Sequence, residues 1–296
     1  MSSSARGTLF LESARVISQL AYDAEQFVLR LAAPKCAARA APGSFVHLTC
    51  DAAIPMRRPL SIMRADAGAG WIEILYKVVG PGLHALAARK AGEELSCLGP
   101  IGRPFAAHPE RPRALLIGGG IGIPPMVFLA ERLHQATSAG GAATAWKPLA
   151  LMGSEIPFPF RCRPSRLIVP GVPDGTIGCM PLLDEWGVPS RLASRADFPG
   201  CFNGFVTELA DAWLASLGKG ELAEVEIFAC GPTPMLEATA KLARRYAVPC
   251  QVSLEEFMAC AVGGCAGCTV LVRTPEGPAM KRVCVDGPVF DAYSVY

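Results

Sequence analysis

Four cysteines constrain this chain more than anything else in it. Cys260, Cys265 and Cys268 form a C-x4-C-x2-C run, and Cys284 follows after a gap of fifteen residues. Thiolates at this spacing are the donor set of a [2Fe–2S] cluster. Gly263, Gly264 and Gly267 lie among them, and residues without a Cβ let the backbone wrap closely and turn N–H groups toward sulfur. Cys284 is expected from the far strand of a hairpin over residues 269–285 that turns at Pro275, Glu276 and Gly277. A four-cysteine zinc site is the competing reading. Zinc ribbons favour paired C-x2-C knuckles, and here one such pair is present.

The other eight cysteines (Cys36, Cys50, Cys97, Cys162, Cys179, Cys201, Cys230 and Cys250) follow no repeating spacing. The N-terminus has no long apolar run and carries Glu12 and Arg15 early, so no secretory leader is expected. The scattered cysteines therefore read as small buried hydrophobes in a reducing cytoplasm. The chain has 296 residues and 31.2 kDa, about two domains with room for a small third. With 51% hydrophobic and 18% charged residues, general disorder is excluded. A formal charge of +2 gives no reason to expect nucleic acid or an acidic membrane as partner. Mean hydropathy is high at +0.32, but the best apolar stretch, 114–130, holds four glycines and two adjacent prolines. It is also shorter than the roughly 20 residues of a spanning helix, so no membrane span is expected.

From residue 8 to about 105 the sequence reads as short β-rich runs between Gly/Pro turns, exemplified by 45–49 and 71–79. That pattern predicts an antiparallel barrel or sandwich. Residues 106–112 read as a linker. Strand-like 114–117, 149–152 and 225–229 then alternate with helix-like 126–135, 206–217 and 234–246, which predicts a parallel sheet with helical crossovers. Residues 155–199, rich in Pro and Arg, read as a long surface excursion. The expected division is 1–105, 106–250 and a cluster segment at 251–296.

Three further motifs carry chemistry. Gly118 to Pro125 (GGGIGIPP) joins a strand to a helix, and its glycines allow a pyrophosphate to approach a helix N-terminus. Cys230-Gly231-Pro232-Thr233-Pro234-Met235 ends another strand, at the edge where open α/β sheets take ligands, with Thr233 and Pro234 expected as N-cap and first helical residue. Arg57-Arg58-Pro59-Leu60-Ser61-Ile62 lies at a strand end in the β-rich region. An arginine fork suits a diphosphate, and a serine hydroxyl suits a flavin ring edge. His47, His84, His108 and His134 are too dispersed to suggest a site.

The order R-P-x-S, G-x-G-x-x-P, C-G-P-x-P-M resembles the ferredoxin–NADP reductase superfamily. The appended EEFMACAVGGCAGCTV and KRVCVDGPVF resemble the electron-transfer subunits of class 1B dihydroorotate dehydrogenases. The resemblance implies an antiparallel flavin-binding β-barrel, a parallel-sheet nucleotide-binding domain and a small C-terminal [2Fe–2S] segment. It implies that Arg58, Pro59, Leu60 and Ser61 hold FAD, that Leu75, Tyr76 and Lys77 line it, and that Gly82 and Leu83 offer N–H groups to its diphosphate. Leu83 stands where the family usually has Thr, and Leu60 where the broader reductase motif has an aromatic. Gly120 and Gly122 would face NAD, Cys230 would lie near the hydride path, and Cys260, Cys265, Cys268 and Cys284 would ligate the cluster. A flavin can exchange both hydride and single electrons. The implied function is therefore a relay from an FMN-containing dihydroorotate dehydrogenase catalytic subunit, through the cluster and FAD, to NAD⁺, in a cytoplasmic heteromeric assembly. A reductase subunit of a sulfide-, ferredoxin- or hydrogenase-type complex, and a four-cysteine zinc-binding interaction module without enzymatic activity, remain the alternatives.

Overall fold

Alternation of apolar and polar residues writes the barrel directly. In β6 (Glu94–Ile101) Leu95, Cys97, Gly99 and Ile101 are buried while the residues between them are not. In the computed structural model, which describes residues 9–138 and 145–296, the barrel strands are β1 (Phe10–Tyr22), β2 (Gln26–Ala32), β3 (Phe45–Leu48), β4 (Arg58–Asp66), β5 (Trp71–Lys77) and β6. They close in the order β1-β2-β5-β4-β3-β6 with antiparallel pairing throughout. The reading of an antiparallel barrel is thus correct, although residues 1–8, including the start assigned to the β-rich region and part of the leader reading, lie outside the described residues. Short helices α1 (Pro34–Ala37) and α2 (Gly80–Ala87) interrupt the strands. Gly80-Pro81-Gly82, which follows β5, is the first turn of α2. The other end of α2 is fixed by Gln19. Its Nε2 donates to the carbonyls of Leu86, Ala87 and Arg89 at 3.1, 2.9 and 3.1 Å, which supplies partners to carbonyls that a helix end otherwise leaves open.

The alternating region that follows contains β7 (Arg113–Gly119), α3 (Ile123–Ser138), β8 (Leu149–Gly153), β9 (Arg163–Pro164), β10 (Gly178–Cys179), α4 (Pro181–Glu185), β11 (Ser190–Ser194), β12 (Phe202–Asn203), α5 (Val206–Ala215), α6 (Lys219–Ala223), β13 (Val225–Cys230), α7 (Thr233–Tyr246) and β14 (Cys250–Ser253). The strands β12, β11, β8, β7, β13 and β14 pair in that order, all parallel. Leu115, Leu116, Ile117, Ile227 and Phe228 have no exposed surface, as a strand covered by helices on both faces requires. The linker 106–112 is irregular chain tied to this sheet domain. His108 Nδ1 lies 3.0 Å from Glu226, and Gln251 exchanges hydrogen bonds with Ala106.

The supposed surface excursion 155–199 is corrected by the structure: it contains β11, which is buried along its whole length. The sequence SRLAS hides this because its charged residue is itself buried. Arg191 donates to the carbonyls of Ser190 and Leu167 at 2.7 and 2.6 Å, and burial lowers its pKa. The rest of the segment is held by Asp184 in α4, which accepts from Ser165 Oγ at 2.7 Å, from Arg166 N at 3.2 Å and from Arg166 Nε at 3.0 Å. Against the upward push of its own burial, these bonds from Ser165 and Arg166 hold the Asp184 carboxyl below its ordinary range.

The chain ends with β15 (Thr269–Thr274), β16 (Gly277–Arg282), β17 (Val289–Asp291) and α8 (Ala292–Val295). β15 and β16 form the expected antiparallel hairpin, and β17 is the outermost strand of the sheet, next to β14. Cys284 does not lie on the far strand. It occupies a turn after β16, because the N–H groups of Val285 and Asp286 both fold back to the Arg282 carbonyl at 3.1 and 2.7 Å. Two compact units result: residues up to Pro104 with 255–289, and 105–254 with 290–296. Among the described residues no helix is long and apolar enough to cross a membrane.

Asp184→Asn removes the buried acceptor charge while leaving its donors, Ser165 and Arg166, in place, and is expected to lower the stability of the sheet domain by about 2 kcal/mol at neutral pH. Because the native carboxyl has a depressed pKa, its contribution is complete above the ordinary carboxylate range and is lost as pH falls through the native value. Urea unfolding of both proteins at neutral and acidic pH checks this: the gap must narrow in acid.

Candidate functional site

The cluster cysteines are positioned by a loop of unusual backbone conformation. Ala261, Gly263 and Ala266 all have positive φ, at 56°, 82° and 53°. Alternation with left-handed residues turns successive N–H groups to one side and forms an anion-binding concavity. The N–H of Cys265 lies 3.4 Å from Cys260 Sγ, and that of Gly267 lies 3.4 Å from Cys265 Sγ. Arg282 Nη1 donates to the Gly263 carbonyl at 3.0 Å, and Val283 N donates to the Cys268 carbonyl at 2.9 Å. Those bonds tie the loop to the turn bearing Cys284. A Cβ on Gly263 would sit 2.6 Å from Val285 Cγ2, whereas one on Gly264 would meet open space.

The four cysteines form two interacting pairs, Cys260 with Cys265 and Cys268 with Cys284. Among the described residues no group of three or more His, Cys, Asp or Glu side chains is placed to hold a metal ion. Two pairs of thiols suit a centre of two metal ions with four thiolate ligands, so the donor set fits a [2Fe–2S] cluster. Cys268 and Cys284 are buried, Cys260 is half-buried and Cys265 is exposed. Burial opposes ionisation of Cys260, yet the N–H groups of Val262, Cys265 and Gly264, together with the Cys265 thiol, bring its pKa down to about 7. Burial, the Cys268 thiol and its charge push Cys284 up to about 12.

At the barrel, the paired arginines divide their work. Arg57 is structural: Nη1 donates to the carbonyls of His47 and Ser96 at 3.1 and 2.9 Å, and Nη2 to Ser96 Oγ at 2.8 Å, which spans β3 and β6. Arg58 begins β4, and its guanidinium lies over Gly82 so closely that a Cβ there would be 2.8 Å from Nε and from Nη2. Gly82 is in the first turn of α2, whose N-cap Val79 provides no side-chain hydrogen bond. A fixed cation beside unsatisfied N–H groups at a helix start is an anion site. Ser61 and Pro59 are half-buried further along β4, Leu60 and Leu75 are buried, and Lys77 is half-buried at the end of β5. Leu83 offers this site its backbone alone. Tyr76 turns out to be committed to the barrel: its ring stacks on Phe27 at 5.5 Å and its hydroxyl donates to Gln19 Oε1 at 3.0 Å. It steadies the residue that holds the far end of α2.

In the sheet domain, the ends of β7 and β13 meet through glycines. A Cβ on Gly122 would collide with the Cys230 carbonyl, and one on Gly119 would lie 2.5 Å from Met235 Sδ. Gly122 is therefore a close-approach residue. Gly120, with φ at 53° and open space where a Cβ would be, is the one that presents backbone outward. Cys230 is buried at the end of β13, in register with Gly118 and Ser253. The cap of α7 is Pro232, without a side-chain bond, and Thr233 already belongs to the helix. This corrects the expected Thr233 cap; Pro234 has no N–H, and the N–H groups of Met235 and Leu236 donate to the Pro232 carbonyl at 2.9 and 3.1 Å. Sequence reading missed one pair at this edge: Glu155, just past β8, receives Arg195, just past β11, at 3.3 Å (Nε to Oε1) and 3.2 Å (Nη2 to Oε2). No sequence signal could place Arg195 until β11 was known.

The thiol pKa values predict a strong difference in reactivity in metal-free protein. Iodoacetamide labelling of Cys260 is expected to rise with a midpoint near pH 7, while Cys284 stays unlabelled until pH is far higher. Peptide-resolved labelling between pH 5 and 9 checks this, and equal rates at both cysteines would refute the proposed role of the loop N–H groups.

The family described as the iron-sulfur cluster binding domain of dihydroorotate dehydrogenase B matches residues 255–296. A dihydroorotate dehydrogenase B (NAD(+)) electron transfer subunit from Geobacillus thermodenitrificans is 34% identical over 292 residues, covering 96% of this chain and 98% of that one. Its counterpart from Shouchella clausii is 31% identical over 254 residues, with 84% of each chain covered. Among solved structures, an NADH-dependent reduced ferredoxin-NADP oxidoreductase aligns with a TM-score of 0.73 at 22% identity, covering 100% of this chain and 91% of that one. A ferredoxin reductase of carbazole 1,9a-dioxygenase aligns with a TM-score of 0.61 at 22% identity, covering 81% and 67%. The two structures share the fold, and the relatives share the sequence across nearly their whole length: this chain belongs to the family of dihydroorotate dehydrogenase B electron transfer subunits.

Proposed function

We propose that this chain carries electrons from an FMN-containing subunit that oxidises dihydroorotate in pyrimidine synthesis, and delivers them to NAD⁺. The observation that carries this reading is the pairing, within one compact unit, of a two-by-two thiol centre and an arginine-backed helix N-terminus. A bound flavin exchanges hydride with a nicotinamide and single electrons with an iron–sulfur centre. In this reading Cys260, Cys265, Cys268 and Cys284 hold the iron, and Arg58 with the N–H groups of Gly82 and Leu83 grips the FAD diphosphate. Pro59, Leu60, Ser61, Leu75 and Lys77 flank the rest of the flavin, and Tyr76 acts indirectly through Gln19. Gly120 and the start of α7 receive the NAD phosphates, and Cys230 lines the hydride path. The functional division is 1–105 for flavin, 106–250 for NAD and 251–296 for the cluster. A cytoplasmic location goes with this reading, since the thiols must stay reduced until iron arrives.

An absorption spectrum of anaerobically purified protein, with iron, acid-labile sulfide and flavin assayed on the same sample, tests the reading. Flavin with about two irons and two sulfides per chain is expected, and zinc without flavin would sink it. Gly82→Ala narrows the test to the diphosphate site. The added methyl drives the Arg58 guanidinium away, so FAD affinity is expected to fall about tenfold, or roughly 1.4 kcal/mol. The iron content of the variant should stay at the wild-type value.

A further inference from the structure

Cys162 and Cys201, both expected to be buried and inert, are neither. Cys162 is exposed and Cys201 half-buried. The backbone brings them together. Cys162 directly precedes β9, which pairs with β10, and β10 is bound from the other side by Gly200, whose carbonyl accepts from Ile177 N at 3.0 Å and Gly178 N at 2.7 Å. The segments that bear them pack together, with the rings of Phe158 and Phe198 6.4 Å apart, and the two thiols interact. Cys36 and Cys97 also interact, but both are fully buried and no reagent reaches them. Among the described residues, no third metal-ligating side chain joins Cys162 and Cys201, which leaves a bare dithiol.

We propose that Cys162 and Cys201 form a reversible dithiol–disulfide site whose oxidant is a peroxide. The exposed Cys162 thiolate attacks one peroxide oxygen. The O–O bond breaks, the departing hydroxide takes a proton from solvent and leaves as water, and Cys162 becomes a sulfenic acid. The Cys201 sulfur then attacks the Cys162 sulfur. The S–O bond breaks, and the hydroxyl leaves with the Cys201 proton as a second water. Two thiols are oxidised by two electrons and the peroxide is reduced to two waters. The interaction with Cys201 lowers the pKa of Cys162 and raises that of Cys201, so the nucleophile is the accessible sulfur and the proton waits on the second one. The bond would close residues 162–201 into a covalent loop that contains Asp184 and β11. The site is independent of the proposed electron-transfer role.

The test exposes the purified holoprotein to graded hydrogen peroxide, alkylates the remaining thiols and digests without reduction for mass spectrometry. The expected product joins the Cys162 and Cys201 peptides, is lighter than their sum by two hydrogen atoms, and is released by dithiothreitol. In Cys201→Ser, dimedone is expected to trap several-fold more sulfenic acid at Cys162 than in the wild type, because the resolving thiol is gone. The proposal is overturned if Cys162 and Cys201 stay fully alkylatable at doses that oxidise other cysteines. Equal dimedone trapping in the two proteins would overturn it as well.

Discussion

Backbone N–H groups left without internal acceptors organise this molecule. A helix start exposes several such donors, and a chain ordinarily covers them with a side-chain cap. Here α2 begins after Val79 and α7 after Pro232, neither of which caps. The cluster loop does the same without a helix, turning its N–H groups toward sulfur through three left-handed residues. Each of these places is poised for negative charge, whether phosphate, thiolate or sulfide. In the proposed reading, one property of the peptide bond thus serves three cofactors of different chemistry.

Holding those donors in place requires backbones to come closer than side chains permit. Gly122 lets the turn after β7 rest on the carbonyl of Cys230, and Gly82 lets Arg58 lie on α2. The supports are set at the opposite ends. Gln19 fastens the C-terminus of α2 and is itself fixed by Tyr76, and Arg282 fastens the cluster loop to the turn that carries Cys284. Neighbouring residues of one type divide the labour, as Arg57 spans two strands while Arg58 faces the anion site.

Much of this was legible in the sequence, because the relevant signals are local. Alternation announced the barrel, apolar strand runs followed by glycine turns announced the parallel sheet, and cysteine spacing announced the cluster. What was hidden depends on contacts between distant residues. β11 reads as loop because Arg191 finds its acceptors in carbonyls, one of them at Leu167. The bond from Tyr76 to Gln19, far back in β1, could not be read either. Cys284 was placed one turn early, since the bond pattern around Arg282 ends the strand where the residue types do not.

The path of the chain has a consequence for assembly. One unit is interrupted: its barrel comes from the first third of the chain, and its cysteine-bearing portion arrives only after the entire parallel sheet has been written. Chains emerge from the ribosome N-terminus first. The four thiols therefore emerge only after the barrel and nearly all of the sheet, which are by then available to fold. In the proposed reading, iron then meets a barrel and sheet that are already in place, which shortens the interval in which exposed thiols can capture the wrong metal.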